Sequence, residues 1–269
     1  MVLKEFIMTT IGFIGTGNMG GALAKAAYRS GIAERILLSN RTLLKAQNLA
    51  QFVNGETCDN KYVAENAEYI FLGIEPSGLD EVAEEIKPIL RSRNTPYIIV
   101  SMLAGKTISL LEETFGPCPI IRIMPNMPAS VGCGVSLYTA NAYINKEQID
   151  FFHSLMAPSG MLEEIDEQIM TFAAGITGCG PAFAAMFIEA LADGAVAVGL
   201  PRDKALRYAA GMLKGSAEMI LETEAHPGIL KDSVCSPGGS TIQGVRTLEK
   251  YKFRSAVMNA VIATFEKKF

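Results

Sequence analysis

A glycine-rich turn near the start of the chain places the tightest constraint on its fold. The apolar run at residues 11–14 leads into Gly15-Thr16-Gly17-Asn18-Met19-Gly20, and an alanine-rich stretch at residues 22–28 follows. A strand pattern, a G-x-G-x-x-G turn and a helix pattern in that order match the dinucleotide fingerprint, whose helix N-terminus can bind a pyrophosphate. We therefore predict that Gly15, Thr16, Gly17, Asn18, Met19 and Gly20 bind a dinucleotide; a glycine turn that binds nothing is the structural alternative.

The next part of the chain repeats the alternation of strands and helices. Apolar runs predict strands at residues 35–39, 69–72, 97–100 and 119–123, and helix patterns lie between them at residues 43–52, 78–90 and 107–114. Continuously apolar strands that alternate with helices are typical of parallel sheets covered on both faces. Residues 1–166 are predicted to form a Rossmann-type, doubly wound α/β domain.

After about Asp166 the strand patterns give way to helices. Pro181 and Pro201 stand at the predicted starts of two helices, where proline is tolerated. The first of these, at residues 181–198, is apolar on nearly all sides, and such a helix must be covered on nearly all sides. We predict an all-helical domain at residues 167–269, in which a second copy of the chain covers one helix to give a homodimer or a higher assembly of dimers.

One uncharged stretch, at residues 168–188, is long enough to cross a bilayer. Glycines and a proline interrupt it about halfway, so we interpret it as a buried loop followed by a core helix. The first ten residues also lack the basic and long apolar segments of a secretory signal. These features predict a cytoplasmic protein with no membrane partner.

Charge and residue counts exclude other classes of function. The chain has 24 Lys and Arg against 28 Asp and Glu, a net charge of -4, which provides no basic field for nucleic acid. Its five cysteines form no C-x-x-C pair, and with only two histidines we predict no metal site. His226 is interpreted as the cap of the preceding helix rather than a catalyst. The chemistry should therefore depend on a bound cofactor.

The segment Ser39-Asn40-Arg41-Thr42 lies about twenty residues beyond the glycine turn, where NAD enzymes usually carry an acid for the ribose 2′-hydroxyl. Here Arg41 can pair with a 2′-phosphate while Ser39, Asn40 and Thr42 donate hydrogen bonds. The pattern favours NADPH, with NADH as an alternative cosubstrate. The structural alternative is that Arg41 is a solvated surface charge.

Two later turns follow predicted strands and should complete the cofactor crevice, because ligands of such sheets bind at the carboxyl ends of the strands. They read Gly73-Ile74-Glu75-Pro76 and Ser101-Met102-Leu103-Ala104-Gly105. Both could equally be simple turns. The predicted cofactor contacts in them are Ile74, Pro76, Met102, Leu103 and Ala104.

A second glycine loop, Ser233-Val234-Cys235-Ser236-Pro237-Gly238-Gly239-Ser240-Thr241, precedes a helix predicted from about Thr241. Two glycines and several hydroxyl residues before a helix N-terminus can form a nest of backbone N–H groups for a small carboxylate or phosphate. An N-cap by Ser240 or Thr241 is the structural alternative.

From about Thr10 onward, the chain resembles the pyrroline-5-carboxylate reductases. The resemblance rests on three segments: residues 227–249, which contain the second glycine loop; Arg122-Ile123-Met124-Pro125-Asn126-Met127-Pro128; and Gly178-Cys179-Gly180-Pro181-Ala182-Phe183. It departs from the family at Glu75, where the family commonly has lysine, and at Cys179, where it usually has serine.

The resemblance implies reduction of 1-pyrroline-5-carboxylate to L-proline by hydride from NADPH, the last step of proline biosynthesis. It implies that the Thr241 hydroxyl is the catalytic group and hydrogen-bonds the ring nitrogen. It also implies that backbone N–H groups of the loop hold the substrate carboxylate, through Val234, Ser236, Pro237, Gly238, Gly239, Ser240 and Thr241. An NADPH-dependent reductase of another small cyclic imine or carbonyl acid, and a sensor without turnover, are the alternatives.

Overall fold

The computed structural model describes residues 9–266, which separate into two compact units that meet in the sequence between Gly178 and Cys179. The prediction that the first ten residues carry no signal falls almost entirely outside the described residues.

The first unit is built on one sheet. Its described strands are β1 Thr9–Ile14, β2 Ala33–Ser39, β3 Glu56–Thr57, β4 Tyr69–Leu72, β5 Ile98–Ser101, β6 Ile120–Met124, β7 Gly134–Ala140 and β8 Gly160–Glu164. They lie in the order β3-β2-β1-β4-β5-β6-β7-β8, and only the β6–β7 pair is antiparallel. The first six positions have the order of a doubly wound dinucleotide-binding sheet. The predicted fold class is therefore confirmed.

Helices cover both faces of this sheet. They are α1 Asn18–Ser30, α2 Leu43–Val53, α3 Asn60–Asn66, α4 Leu79–Ser92, α5 Ile108–Phe115, α6 Lys146–Met156 and α7 Glu167–Thr177. Alternate residues of the central strands enter two separate cores: Phe13 and Phe71 pack on one face, and Ile14 and Leu72 pack on the other. Burial on both faces explains why these strands read as continuous apolar runs.

The second unit consists of helices throughout its described residues. They are α8 Gly180–Ala197, α9 Arg202–Thr223, α10 Pro227–Ser233, α11 Ser240–Lys250 and α12 Phe253–Ala263. Helices α8 and α9 pack against each other, and the Phe187 and Phe253 rings lie 5.6 Å apart between centroids. The prediction of an all-helical second part is confirmed.

Two sequence interpretations are wrong. The stretch at residues 168–188, interpreted as a buried loop followed by a core helix, is helical on both sides of a short turn at Gly178 and Cys179. Within the chain, only 6% of the apolar window of this helical stretch is buried. Among the described helical stretches, Glu167–Ala197 is the one whose length and composition would suffice to cross a membrane. Met186, on α8, is 69% exposed, so α8 is not buried in the core of a single chain.

His226 caps the start of a helix rather than the end of one. Its Nδ1 accepts a hydrogen bond from the Gly228 N–H at 3.1 Å, at the N-terminus of α10. Helix α9 ends instead at Glu224, whose backbone adopts the left-handed conformation with φ 53°. Proline is favoured at the first position of a helix, so Pro227 starts α10 and the residue before it, His226, is the N-cap.

We expect Phe71→Ala to destabilise the first unit strongly. The Phe71 side chain is fully buried and stacks on Phe13 with ring centroids 4.6 Å apart. Removing it should lower the free energy of unfolding by about 3–5 kcal/mol, measured by urea denaturation. Phe52→Ala, at a ring that is 59% exposed, should cost about 1 kcal/mol or less. Equal losses for both variants would contradict the assignment of the core.

Candidate active site

The first glycine turn is shaped by a close backbone contact. Gly15 has φ +93°, and a Cβ there would lie 2.5 Å from the carbonyl carbon of Gly73, which follows β4. A Cβ on Gly20 would overlap the Gly15 carbonyl oxygen. The turn after β1 and the turn after β4 therefore touch at the point where the strand order reverses, which is where such sheets bind ligands.

The N-terminus of α1 at this turn is open to an anion. Its N-cap is Gly17, which supplies no side-chain hydrogen bond, and a Cβ on Gly17 would meet nothing within 4 Å. The first N–H groups of a helix have no intrahelical partner. Beside them, Thr16 Oγ1 is buried without a hydrogen-bond partner among the described residues. These features fit a bound pyrophosphate.

Asn40 ties the glycine turn to the loop after β2. Its Oδ1 accepts from the Thr16 N–H at 3.1 Å, and its Nδ2 donates to the Thr42 carbonyl oxygen at 3.0 Å. One amide hydrogen of Asn40 remains for a ligand. The residue therefore positions the loop as well as offering the donor that the sequence predicts.

Seven of the predicted cofactor residues line one crevice of about 810 Å³: Gly15, Gly17, Ser39, Asn40, Arg41, Thr42 and Ile74. Two exposed cations, Arg41 and Lys45, face this crevice. Sequence reasoning missed several of its other lining residues, which are Lys45, Cys58, Asp59, Asn60, Glu81 and Glu85. Burial raises the pKa of the Cys58 thiol to about 11, which keeps it protonated at neutral pH.

Asn60 is the missed residue that a signal in the sequence could have revealed. It is the first residue of α3, directly after Asp59, whose side chain accepts from the Tyr62 N–H at 2.7 Å as the N-cap. The Asp-Asn pair before a helical pattern is a start signal. The strand before it, β3, has two residues only and leaves no detectable pattern.

The remaining predicted cofactor residues are near the carboxyl ends of the strands, but they are not among the residues that line the crevice. Met102 follows β5 and donates its N–H to the Leu72 carbonyl oxygen at 3.1 Å, while Ala104 is exposed. Pro76 starts a short 3-10 turn before α4. Leu103 is 1% exposed and packs in the core, so its side chain is unavailable to a ligand. Asn18, Met19 and Gly20 form the first turn of α1.

The second glycine loop ends in another open helix N-terminus. The N-cap of α11 is Gly239, which has no side-chain cap, so Ser240 and Thr241 lie inside the first turn and do not cap it. Gly238 has φ +73°, and the Gly239 N–H donates to the Ser236 carbonyl oxygen at 3.0 Å. The first backbone N–H groups of α11 therefore have no partner within the helix.

The loop is accessible in the second unit. Val234, Ser236, Pro237, Gly238, Ser240 and Thr241 are exposed, and Gly239 is half-buried. Uncapped N–H groups next to an exposed hydroxyl can bind a carboxylate and hydrogen-bond a neighbouring polar atom. No group of three or more His, Cys, Asp or Glu side chains in residues 9–266 is arranged to hold a metal ion.

Comparisons with known proteins match both parts of the chain to families. Residues 167–268 match the family model for pyrroline-5-carboxylate reductase dimerisation, and residues 10–105 match the model for coenzyme F420-dependent NADP oxidoreductases. The chain is 40% identical over 261 residues to pyrroline-5-carboxylate reductase of Escherichia coli, with 96% of each chain covered. It is 36% identical over 264 residues to that of Synechocystis, again with 96% of each covered.

Solved structures of pyrroline-5-carboxylate reductases are also similar to this chain. The crystal structure of Plasmodium falciparum pyrroline carboxylate reductase with NADP bound superposes with a TM-score of 0.84 at 32% identity, covering 96% of each chain. A pyrroline-5-carboxylate reductase from Coxiella burnetii gives a TM-score of 0.85 at 32% identity, over 95% of this chain and 96% of that one. The chain therefore belongs to the pyrroline-5-carboxylate reductase family.

Proposed function

We propose that this protein reduces 1-pyrroline-5-carboxylate to L-proline with NADPH, as an oxidoreductase of proline biosynthesis. The near-complete match to reductases of that name carries the proposal. The N-termini of α1 and α11, each preceded by a glycine-rich turn and a glycine N-cap, support it because the reaction needs one site for a pyrophosphate and one for a small carboxylate.

NADPH binding is assigned to the crevice of the first unit. We propose that the pyrophosphate binds at the Gly15–Gly20 turn and that Arg41 pairs with the 2′-phosphate, with Lys45 as a second nearby cation. The exposed Glu75 lines the same crevice. Glu75 stands where the family commonly has a lysine, and its carboxylate does not attract phosphate. Ile74 and Pro76 therefore contribute to cofactor binding through the backbone and through packing.

The chemical roles of the substrate loop follow from its donors. When bound, the nicotinamide supplies the hydride to the imine carbon. The open N–H groups of α11 hold the carboxylate, and the Thr241 hydroxyl hydrogen-bonds the ring nitrogen and orients the imine. An imine that arrives protonated already carries the proton that the product amine keeps, so the site needs no strong acid.

We propose a homodimer, or an assembly of such dimers, as the working form. Large apolar side chains of the second unit are exposed in the single chain, among them Met186, Val198 and Leu221. The family model that matches this region is named for dimerisation. Exposed apolar area of this kind marks an interaction surface, and a second copy of the same unit offers the same apolar face in return.

We also propose a location, a set of excluded partners and a domain boundary. We place the protein in the cytoplasm, where its five free cysteines would stay reduced, with neither nucleic acid nor membrane as a partner. We propose a domain boundary after Asp166, where the dimerisation model begins, although α7 packs against β7 of the first unit.

The direct test is a steady-state assay of nicotinamide oxidation with pyrroline-5-carboxylate and with the six-membered cyclic imine. We expect turnover with NADPH and a higher kcat/KM for the five-membered ring. A preference for the larger ring would favour the second candidate, a reductase of another small cyclic imine. Absence of turnover with either substrate would overturn both.

Arg41→Ala should weaken NADPH binding far more than NADH binding, because only NADPH carries the 2′-phosphate. Loss of a charge-assisted hydrogen bond predicts a rise of about 10- to 100-fold in the KM for NADPH. Arg91→Ala, at an exposed arginine outside the crevice lining, is the matched control and should leave both KM values within about twofold. Equal weakening of NADPH and NADH by Arg41→Ala would refute the 2′-phosphate assignment.

Thr241→Ala should lower kcat by about 10- to 100-fold, since the variant loses the hydroxyl proposed to orient the ring nitrogen. The Kd for NADPH should change by less than about threefold, because no residue of α11 is among those that line the dinucleotide crevice. Thr241→Ser keeps the hydroxyl and should retain most of the rate. An unaltered kcat in the alanine variant would remove Thr241 from the mechanism.

A further inference from the structure

Three side chains that line the dinucleotide crevice form one chain of hydrogen bonds. The Ser39 hydroxyl, at the end of β2, donates to Asn60 Oδ1 at 2.6 Å. The Asn60 Nδ2 donates in turn to Glu85 Oε2 at 2.7 Å. The chain thus links β2, α3 and α4 at the loop where the 2′-phosphate is expected.

The direction of both hydrogen bonds follows from the chemistry of the groups. A carboxylate can only accept, so Glu85 requires the amide nitrogen of Asn60 to face it. The Asn60 carbonyl oxygen then faces Ser39, and since that oxygen carries no hydrogen, the Ser39 hydroxyl must donate. Ser39 is therefore left with lone pairs and no free hydrogen for a ligand.

This state of Ser39 suits one ligand group better than another. A ribose hydroxyl can donate to the Ser39 oxygen, whereas an ionised phosphate oxygen can only accept and would need the Ser39 hydrogen. Ser39 lines the crevice but is only 6% accessible, so its hydroxyl hydrogen has few positions other than the one that faces Asn60. Sequence reasoning had assigned Ser39 as a donor to the 2′-phosphate.

We propose that Glu85 is a positioning residue for cofactor selection. By orienting Asn60 it makes Ser39 an acceptor for a ribose hydroxyl, leaves recognition of the 2′-phosphate to Arg41, and so moderates the preference for NADPH over NADH. This inference rests on the proposed binding of the nicotinamide dinucleotide in this crevice.

Repulsion between the Glu85 charge and the 2′-phosphate is the competing explanation. Asp59, Glu75 and Glu81 line the same crevice, so negative charge there is not particular to Glu85. What distinguishes Glu85 is the hydrogen bond to Asn60. Glutamine at position 85 separates the two explanations, because it removes the charge but keeps a carbonyl oxygen that can accept from Asn60.

The experiment measures Kd for NADPH and for NADH by the fluorescence of the reduced nicotinamide, with the full-length protein. We expect Glu85→Ala to increase the ratio of Kd(NADH) to Kd(NADPH) by about 5- to 10-fold, the effect of one hydrogen bond that changes direction. Glu85→Gln should stay within about twofold of the unmodified ratio. Glu84→Gln, at an exposed neighbour on α4, is the control for a general charge effect.

A double-mutant cycle tests whether the effect passes through Ser39. In a Ser39→Ala background, Glu85→Ala should leave the ratio unchanged, because no hydroxyl remains to be oriented. Equal shifts for Glu85→Ala and Glu85→Gln, no shift for Glu85→Ala, or the same shift in the Ser39→Ala background would overturn the inference. If the unmodified protein bound neither nucleotide, the proposed function itself would fail.

Discussion

The structure of the site depends on the contact between two backbone turns at the middle of the sheet. The turns after β1 and β4 approach so closely that a Cβ on Gly15 or Gly73 would collide with the opposite backbone. That approach brings α1 close to the ends of β1 and β4, and it leaves the α1 N-terminus facing the crevice. Any side chain at these glycines would push the turns apart and move the first N–H groups of α1 away from the pyrophosphate position.

The proposed site binds its anions mainly with helix N-termini and uses few charged side chains. Helices α1 and α11 both begin at a glycine N-cap without a side-chain hydrogen bond. A Ser, Thr, Asp or Asn N-cap would satisfy one of these N–H groups internally, and relative to glycine it would stabilise each helix by only about a few tenths of a kcal/mol, so the open ends cost little local stability. Backbone donors also explain how a chain with a net charge of -4 can bind a phosphorylated cofactor and an acid substrate.

Side chains refine what the backbone provides. Asn40 connects the pyrophosphate turn to the loop of Arg41, and Glu85 acts on Ser39 through Asn60. Each of these amides contacts groups more than twenty residues away in the sequence. Cofactor preference is therefore a property of three elements together, β2, α3 and α4, rather than of the loop after β2 alone.

The amino-acid sequence by itself determined the strand-turn-helix unit at Gly15–Gly20, the helical character of the second part and the loop before α11. These features depend on residues that are neighbours in the sequence: the spacing of apolar residues and the positions of proline and glycine. They can therefore be predicted from short segments of the sequence. The family resemblance added the reaction and the proposed role of Thr241, which no local pattern supplies.

Only the tertiary structure decided the strand order, the presence of β3 and β8, the burial of Leu103 and the exposure of α8. A two-residue strand such as β3 and a charged edge strand such as β8 carry no pattern of their own, and they form because a neighbouring strand pairs with them. Likewise, whether Ser39 donates to a ligand or to Asn60 depends on side chains that only folding brings within hydrogen-bond distance, since local propensity does not record long-range partners.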